Sequence, residues 1–562
     1  MGENLFDNLE TIAAGDGGQT HWAARAPYRP ESGFDLMLVP RVPDWWDHDD
    51  SRHALEQIEA QDWVESVVQS GDAVRLRLTD EWVAETGAAL EAGMGEDADA
   101  DLAAGQRYAV YFWGANTTKA LHIGHLRNLA IGNAIGGTLA QAGARVEHRS
   151  LICDVGRSMG EAMAGIVNSG REKPNLGPDG GLKSDHFVGH CYADYVKAGR
   201  AANGTEPDGA EDSVARESSV YDDEADELMM SVLAGDQSAL ELWSKTRAWV
   251  ISGQRKTLAR LGVAFDKVIF ESDFLPEVAE LTNQGLQEGT LHRREDGMVT
   301  YATEREELEE MPLVRADGLP TQHMRALAYW AAGPELDDVT SLQVCGTEWV
   351  AHVTCRRKLM DALGISGNAN GFGSEKGGGY PTHDVFHGMV ARQKRAITSS
   401  EEGALLIDDL IEWLEEGIGA DPERVAIRRA HPSPDRVAAQ VALAFFLLQQ
   451  TSKRVEFEPP KLFADDRNLG WDLVRAQAQR GGDATLPGSP AGDADYRFAV
   501  VQSQMYRVHL RSAVESLDVV PLARYLSHFA RWYREGERPP EVERVVQPVL
   551  ARGVRGLGLE GS

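Results

Sequence analysis

Hydrophobic and polar positions divide the chain into four stretches with different rhythms. Residues 1–33 are polar and rich in Gly and Pro (AAGDGGQT, then RAPYRPESG), which predicts a flexible N-terminal arm. Residues 34–105 alternate short apolar runs (FDLMLVP, AVRLRL) with a helical stretch, Asp80–Gly93, and predict a small α+β domain that closes on an acidic linker, Gly95–Asp101. Residues 106–420 switch repeatedly between strand-like and helix-like periodicity. Tyr108–Trp113 leads to a helix from Leu121, Arg145–Cys153 to a helix after Gly156, and Leu342–Gly346 to a helix over Trp349–Leu363. Such alternation predicts an α/β domain, a parallel sheet with helices on both faces. An insertion over about 167–250 interrupts it, and its acidic part, Ala198–Glu227, reads as flexible. Gly367–Gly379 is Gly-rich, but it follows no strand and carries no Gly-Lys-Ser/Thr, so it reads as a loop rather than a phosphate cradle. Residues 421–562 are helical throughout and predict an all-α bundle with one long connection, Gly481–Asp495.

Within this frame the stretch Tyr111–His125 (YFWGANTTKALHIGH) runs from a strand through a polar turn onto a helix start. Unpaired backbone N–H groups and the positive end of the helix dipole would make an anion site there. His122 and His125 share one face of the first turn, with Gly124 between them allowing close approach, so a triphosphate is one candidate occupant. A solvated helix start or a metal half-site remains open on these residues alone. In doubly wound folds ligands sit at the carboxyl ends of strands, which is where both histidines would lie.

Composition narrows the partners. At 562 residues the chain should hold about two to four domains. No run approaches the roughly 18 apolar residues of a membrane span, and MGENLFDNLE lacks an apolar core for a signal peptide, so a cytoplasmic protein with no membrane contact is expected. Cys153, Cys191, Cys345 and Cys355 form no C-x-x-C pair, which predicts free thiols and no metal site. A net charge of −32 excludes a general nucleic-acid binder. From Val501 to Ser562, nine Arg stand against seven Asp plus Glu, the one local excess of the sign a nucleic acid needs.

Asn116–His125 followed by LRNLAIGNAI resembles the first signature of class I aminoacyl-tRNA synthetases, specifically the arginyl-tRNA synthetase family. Weaker matches follow in family order: Asp62–Gly93, where the N-terminal additional domain looks shortened, then CDVG (153–156), KSDHFVG (183–189), FDKVIFESD (265–273), VRADGLPT (314–321), VCGTE with His352, and HGMV (387–390). ALAFFLLQQ, VEFEP and LARYLSHFARWYRE resemble that family's anticodon-binding bundle. The resemblance implies a Rossmann-like catalytic domain that joins ATP and an amino acid into an aminoacyl-adenylate and passes the acyl group to tRNA. It implies a monomer, ATP with Mg2+ as co-substrate, and no prosthetic group. His122, His125 and Lys119 would serve catalysis. Together with Gly124, Lys394 and Arg395 they would also bind ATP. Asn116, Tyr111, Asp154, Gln322, Ala326, Glu348 and Trp349 would line the amino-acid end.

Two departures stand out. The family's mobile basic loop aligns with Lys394–Gly403 (KRAITSSEEG), where Ile397, Ser399 and Glu401 replace basic positions and Lys119 is the lysine left to compensate. At the amino-acid end, Gln322 and Ala326 replace a Tyr and an Asp that face the arginine guanidinium, Tyr111 replaces a carboxylate, and Trp349 replaces a Gln. A guanidinium needs a directional carboxylate partner that Ala326 cannot supply. The expectation is therefore an arginyl-tRNA synthetase-like ligase whose amino acid differs from arginine, unless the altered positions lie off the pocket and arginine still binds. The alternatives are a tRNA-independent adenylating ligase of specialised metabolism and a catalytically silent synthetase-like binding protein.

Overall fold

The computed structural model describes residues 5–14, 22–27, 29–41, 49–92, 99–170, 182–203, 220–305, 308–332, 338–365, 382–392, 395–396, 405–465, 468, 470–479 and 490–560. The first sheet is antiparallel, in the order β1-β2-β4-β3, from β1 (Trp22–Arg25), β2 (Leu36–Pro40), β3 (Val64–Ser70) and β4 (Ala73–Leu78). In β4, Val74, Leu76 and Leu78 are fully buried while Arg75 and Arg77 alternate with them, the period-2 pattern of a half-buried strand. Helices α1 (Leu5–Ala14), α2 (Asp49–Glu59) and α3 (Asp80–Glu91) belong to the same unit. The expected loose arm is corrected in part. Leu5, Phe6 and Leu9 of α1 and Trp22 of β1 are buried in the main core, and this anchoring outweighs the polar sequence around them. The expected linker is corrected at its end, because Asp99 is buried and ion-paired to Arg507 and Arg552.

The central sheet has the order β12-β11-β5-β6-β7, and all four pairings are parallel. Its strands are β5 (Arg107–Tyr111), β6 (Arg145–Ile152), β7 (Lys267–Phe270), β11 (Thr340–Gly346) and β12 (Thr382–His387). The chain winds outward one way from β5 to β7 and the other way from β11 to β12. The winding reverses between β5 and β11, and ligands of doubly wound folds bind at that crevice. Val110 and Phe112 face one core, shared with α4 (Ile123–Gln141) and α14 (Val437–Leu447). Ala109 and Tyr111 face the other, under α9 (Leu275–Glu288), α10 (Gln322–Ala332) and α11 (Val350–Ala362). An antiparallel sheet of β8 (His292–Arg293), β9 (Val299–Arg305) and β10 (Leu308–Val314), absent from the sequence reading, lies between α9 and α10.

The insertion is helical: α5 (Arg157–Asn168), α6 (Ser184–Asn203), α7 (Val220–Leu233) and α8 (Gln237–Leu261). Of the stretch expected to be flexible, 198–203 completes α6 and 220–227 begins α7, while 204–219 lie outside the described residues. Packing explains the ordered parts. A Cβ at Gly160 would stand 2.1 Å from the Ala225 carbonyl oxygen and one at Gly165 would stand 2.3 Å from that of Cys191, so glycines bring α7 and α6 close against α5. Gly367–Gly379 and 481–489 of the long connection also lie outside the described residues.

The C-terminal region comprises α12 (Ile407–Ala420), α13 (Pro422–Ala430), α14, α15 (Gly470–Ala478), α16 (Ala494–Ser516), α17 (Val520–Arg534) and α18 (Pro540–Gly556), with β13 (Val390–Arg392), β14 (Arg395–Ala396) and β15 (Val455–Glu456). One buried arginine ties it to the sheet domain. Arg127 of α4 donates to the carbonyls of Gly388 (2.6 Å), Lys453 (2.8 Å), Gln450 (3.0 Å) and Thr451 (3.0 Å). A second, Arg497 of α16, holds Asp35 at 2.6 Å and also reaches Asp80, joining the bundle to the N-terminal sheet. Removing one member of a buried pair leaves a buried charge uncompensated. Arg497→Met should therefore lower unfolding stability by about 3–5 kcal/mol in urea titration. Arg555→Met, which breaks an exposed pair with Glu560, should cost less than about 1 kcal/mol. Equal losses for the two variants would contradict the inter-domain role of Arg497.

Candidate active site

The β5–α4 connection is pinned from several sides. Thr117 donates its N–H and its hydroxyl to the Cys153 carbonyl, both at 3.1 Å. Gln254 of α8 donates to the carbonyls of Asn116 (3.2 Å) and Lys119 (2.8 Å). Asn116 also forms a parallel bridge with Cys153, which sets it at the carboxyl ends of β5 and β6. The connection ends at His122, the N-cap of α4.

The histidines cap the helix reciprocally. Gly124 donates its N–H to His122 Nδ1 and His122 donates its own to His125 Nδ1, each at 3.1 Å, and the rings lie 3.9 Å apart. The N–H of Ile123 goes to the Leu405 carbonyl (3.0 Å) and that of His125 to the His122 carbonyl (2.9 Å). This corrects the expectation of bare backbone donors. The helix start is buried, and an unpaired N–H there would be costly, so these four donors are satisfied internally. What the motif can offer an anion is the imidazoles. A ring nitrogen that accepts a backbone N–H carries no proton, so the neutral ring bears its proton on Nε2. Both rings are neutral. Burial, then His125 and Lys119, push His122 well below its ordinary value, and burial, then Lys119, bring His125 down to about 3. Two Nε2–H donors and the Lys119 ammonium thus stand at one helix start. Lys119 Nζ lies 5.5 Å from the Tyr192 ring centroid. Lys394 lies outside the described residues, and the backbone of Arg395 pairs with Arg392 between β14 and β13.

The structure does not gather the expected amino-acid residues into one shell. Tyr111 is buried in the apolar cluster, its hydroxyl 2.6 Å from that of Tyr329 and 3.5 Å from Arg149 Nη1. Ala326 is also buried, whereas Gln322 and Glu348 are exposed. Asp154 is fully buried with its carboxylate taken by Arg247 (2.9 Å) and by the N–H and hydroxyl of Ser272 (3.0 and 2.7 Å), so it is a joint of the frame. Trp349, half-buried at the end of β11, stands 5.7 Å from the ring of His352, which stacks on His323 at 4.8 Å.

Residues missed in the sequence dominate this end electrostatically. Arg325 is buried on Glu271 at 2.6 Å, with Cys153 Sγ at 3.1 Å. Arg149 is buried on Glu147 at 2.7 Å, and Arg356 donates to Gln343 at 2.8 Å. Burial, then His352 and Arg356, push His323 down to about 3. Arg149 faces Tyr111 only through strand register, Tyr111 opposite Arg149 and Gln343, which no local sequence pattern exposes. Asp185, His186 and Asp408 bring ligand atoms within 4.8 Å of one another. Lys183 Nζ already bridges Asp185 (3.2 Å) and Asp408, so an ammonium group fills the place a cation would take.

A doubly wound sheet with a histidine-capped helix at its switch point is similar to the catalytic domain of class I synthetases. More particularly, the chain resembles the class I arginyl-tRNA synthetases. A family model described as tRNA synthetases class I (R), catalytic domain, matches residues 94–321. The chain is 30% identical over 370 residues to an arginine–tRNA ligase of Amoebophilus asiaticus, covering 63% of this chain and 59% of that protein. It is 28% identical over 322 residues to that of Borrelia hermsii, covering 56% and 50%. The matched stretch thus spans only 50–59% of these relatives' own length. The arginyl-tRNA synthetase structure of Thermus thermophilus superposes with a TM-score of 0.66 at 18% identity over 99% of both chains, and that of Plasmodium falciparum with 0.66 at 13% over 99% and 98%. At these identities the likeness establishes the fold.

The depressed histidines carry a pH signature. Between pH 6.5 and about 3 the unfolded chain binds protons that folded His125 and His323 do not, so stability falls as pH drops through that window. His323→Gln should remove up to about 1.4 kcal/mol per pH unit of that slope. Urea midpoints measured from pH 7 to 4 check this, and an unchanged slope would contradict a neutral His323.

Proposed function

We propose that the chain activates an amino acid other than arginine with ATP, forming an aminoacyl-adenylate, and passes the acyl group to tRNA. The observation that carries this reading is the pair of neutral imidazoles capping α4 at the switch point. The substrate carboxylate attacks the α-phosphate and pyrophosphate leaves, so the protein supplies position and charge stabilisation rather than a nucleophile. Nε2–H of His122 and His125 donate to phosphate oxygens, and Lys119 offsets the charge that grows on the leaving pyrophosphate. Mg2+ would arrive on the ATP phosphates.

The electrostatics of the amino-acid end support a substrate without a guanidinium. Glu147 and Glu271 are already committed to Arg149 and Arg325 of the protein itself. A substrate arginine would add a further buried cation without a counter-charge, at a cost of several kcal/mol. The half-buried Trp349 and the stacked His323 and His352 favour a neutral or aromatic side chain.

A second reading, transfer to a small amine or carrier, is favoured by one specific observation. Eight of the nine arginines after residue 500 are ion-paired within the chain, several of them to the N-terminal unit: Arg507 and Arg511 to Asp7, Arg552 to Asp99 and Arg544 to Glu91. Arg524 donates to the Leu448 carbonyl. The one cationic excess legible in the sequence is thus spent on internal pairing, which leaves less of it for phosphates.

Pyrophosphate exchange measured across all amino acids tests the proposal. Exchange should occur with a neutral amino acid, with arginine at least about 100-fold poorer in kcat/KM, and His125→Ala should lower the rate about 10²–10³-fold, the usual effect of losing one charge-stabilising donor. Absence of exchange with every amino acid would overturn it. Acyl product formed on a small amine acceptor without added tRNA, with no charging of tRNA, would select the second reading.

A further inference from the structure

The KSDHFVG segment has no part in the chemistry above, yet its side chains meet an aspartate next to the active helix. Asp408 lies in the first turn of α12 and is nearly buried. Its Oδ2 accepts from Lys183 Nζ, from Thr257 Oγ1 of α8 (2.9 Å) and lies 3.2 Å from His186 Nε2 of α6. Its Oδ1 lies 3.4 Å from Arg260 Nη1. Lys183 Nζ also donates to Thr257 Oγ1 at 2.6 Å and lies 3.2 Å from Asp185. Burial alone would raise the Asp408 carboxyl, but the His186 and Lys183 hydrogen bonds and the Lys183 charge outweigh it and hold it far below the usual carboxylate range.

The residues just before Asp408 form the other wall of the His122 cap. Leu406 forms an antiparallel bridge with His122. Ile123 donates to the Leu405 carbonyl and Ile407 donates to the Leu121 carbonyl, both at 3.0 Å. Two helix N-termini therefore meet here, and their dipoles repel each other at close range. Two neutral backbone bonds join them directly. The charge-assisted bonds on Asp408 are each roughly twice as strong as such neutral bonds, and they place a negative charge in the first turn of α12, where the dipole is positive.

We infer that Lys183, His186, Thr257 and Asp408 form a positioning latch that holds Leu405–Ile407 against Leu121–Ile123 and so fixes the His122 cap in its ATP-binding geometry. None of these side chains touches the reacting atoms. They act through α12 and the two backbone bonds. The inference rests on the adenylation reading for its kinetic consequence but not for its structural one.

Hydrogen exchange and steady-state kinetics on the full chain separate the two. In Lys183→Met, the Ile123 and Ile407 amides should exchange about tenfold or more faster, while Val344 in β11 keeps its protection. The KM for ATP in pyrophosphate exchange should rise about tenfold with kcat changed less than about threefold. Lys183→Arg should restore both, and Thr257→Val should give the same pattern in weaker form should Lys183→Met fold poorly. Unchanged protection at Ile123 and Ile407, or loss spread evenly into β11 and β12, would overturn the latch. A wild-type protein silent with every amino acid would overturn the adenylation reading, while the amide protection would still judge the latch.

Discussion

The rest of the structure depends on how the N-terminus of α4 satisfies its own backbone. This helix is the hub of the molecule: it underlies β5, packs against α14, and bonds through Asn133 and Thr138 to the carbonyls of Gly558 and Gly556 at the end of the chain. A helix so enclosed cannot leave N–H groups bare. Its two histidines serve as caps through Nδ1, which forces the proton onto Nε2 and makes each ring a fixed donor. Burial is the largest cause holding both rings below the ordinary histidine range.

A second constraint follows from charge. The chain carries a large negative surplus, and several of its buried arginines join regions far apart in sequence. Arg127 gathers four carbonyls beneath α4, Arg497 crosses to Asp35, and Arg507 and Arg552 converge on Asp99. Planar guanidinium groups suit this task because several donors diverge from one buried centre. The same preference appears in the central domain, where Arg149 and Arg325 are buried on Glu147 and Glu271.

The sequence exposes the parts of this design that depend on local rhythm. Alternating strands and helices, the turn into α4, and the helical C-terminus all leave periodic traces, and the His-x-x-His spacing marks the start of α4. Long-range pairing leaves no such trace. The helix of Leu5, Phe6, Leu9 and Ile12 has an apolar face at helical spacing, but the Gly- and Pro-rich residues that follow dominate the local pattern, and its burial against the core makes it more than an arm. The partnership of Tyr111 with Arg149 comes from strand register, and the capture of the α4 backbone donors by histidine rings comes from a geometry that spacing alone cannot specify. Asp154 and Tyr111, expected at the amino-acid end, are instead engaged by their neighbours in space, Ser272 and Tyr329.

The central claim is that two neutral, Nε2-protonated imidazoles receive the nucleotide. Nitrogen-15 NMR of histidine-labelled protein at pH 7, with and without ATP, tests it directly. The account predicts that His122 and His125 both carry their proton on Nε2 and that both Nε2 resonances move when ATP saturates the site. A proton on Nδ1 of either ring, or resonances that ignore ATP, would contradict it.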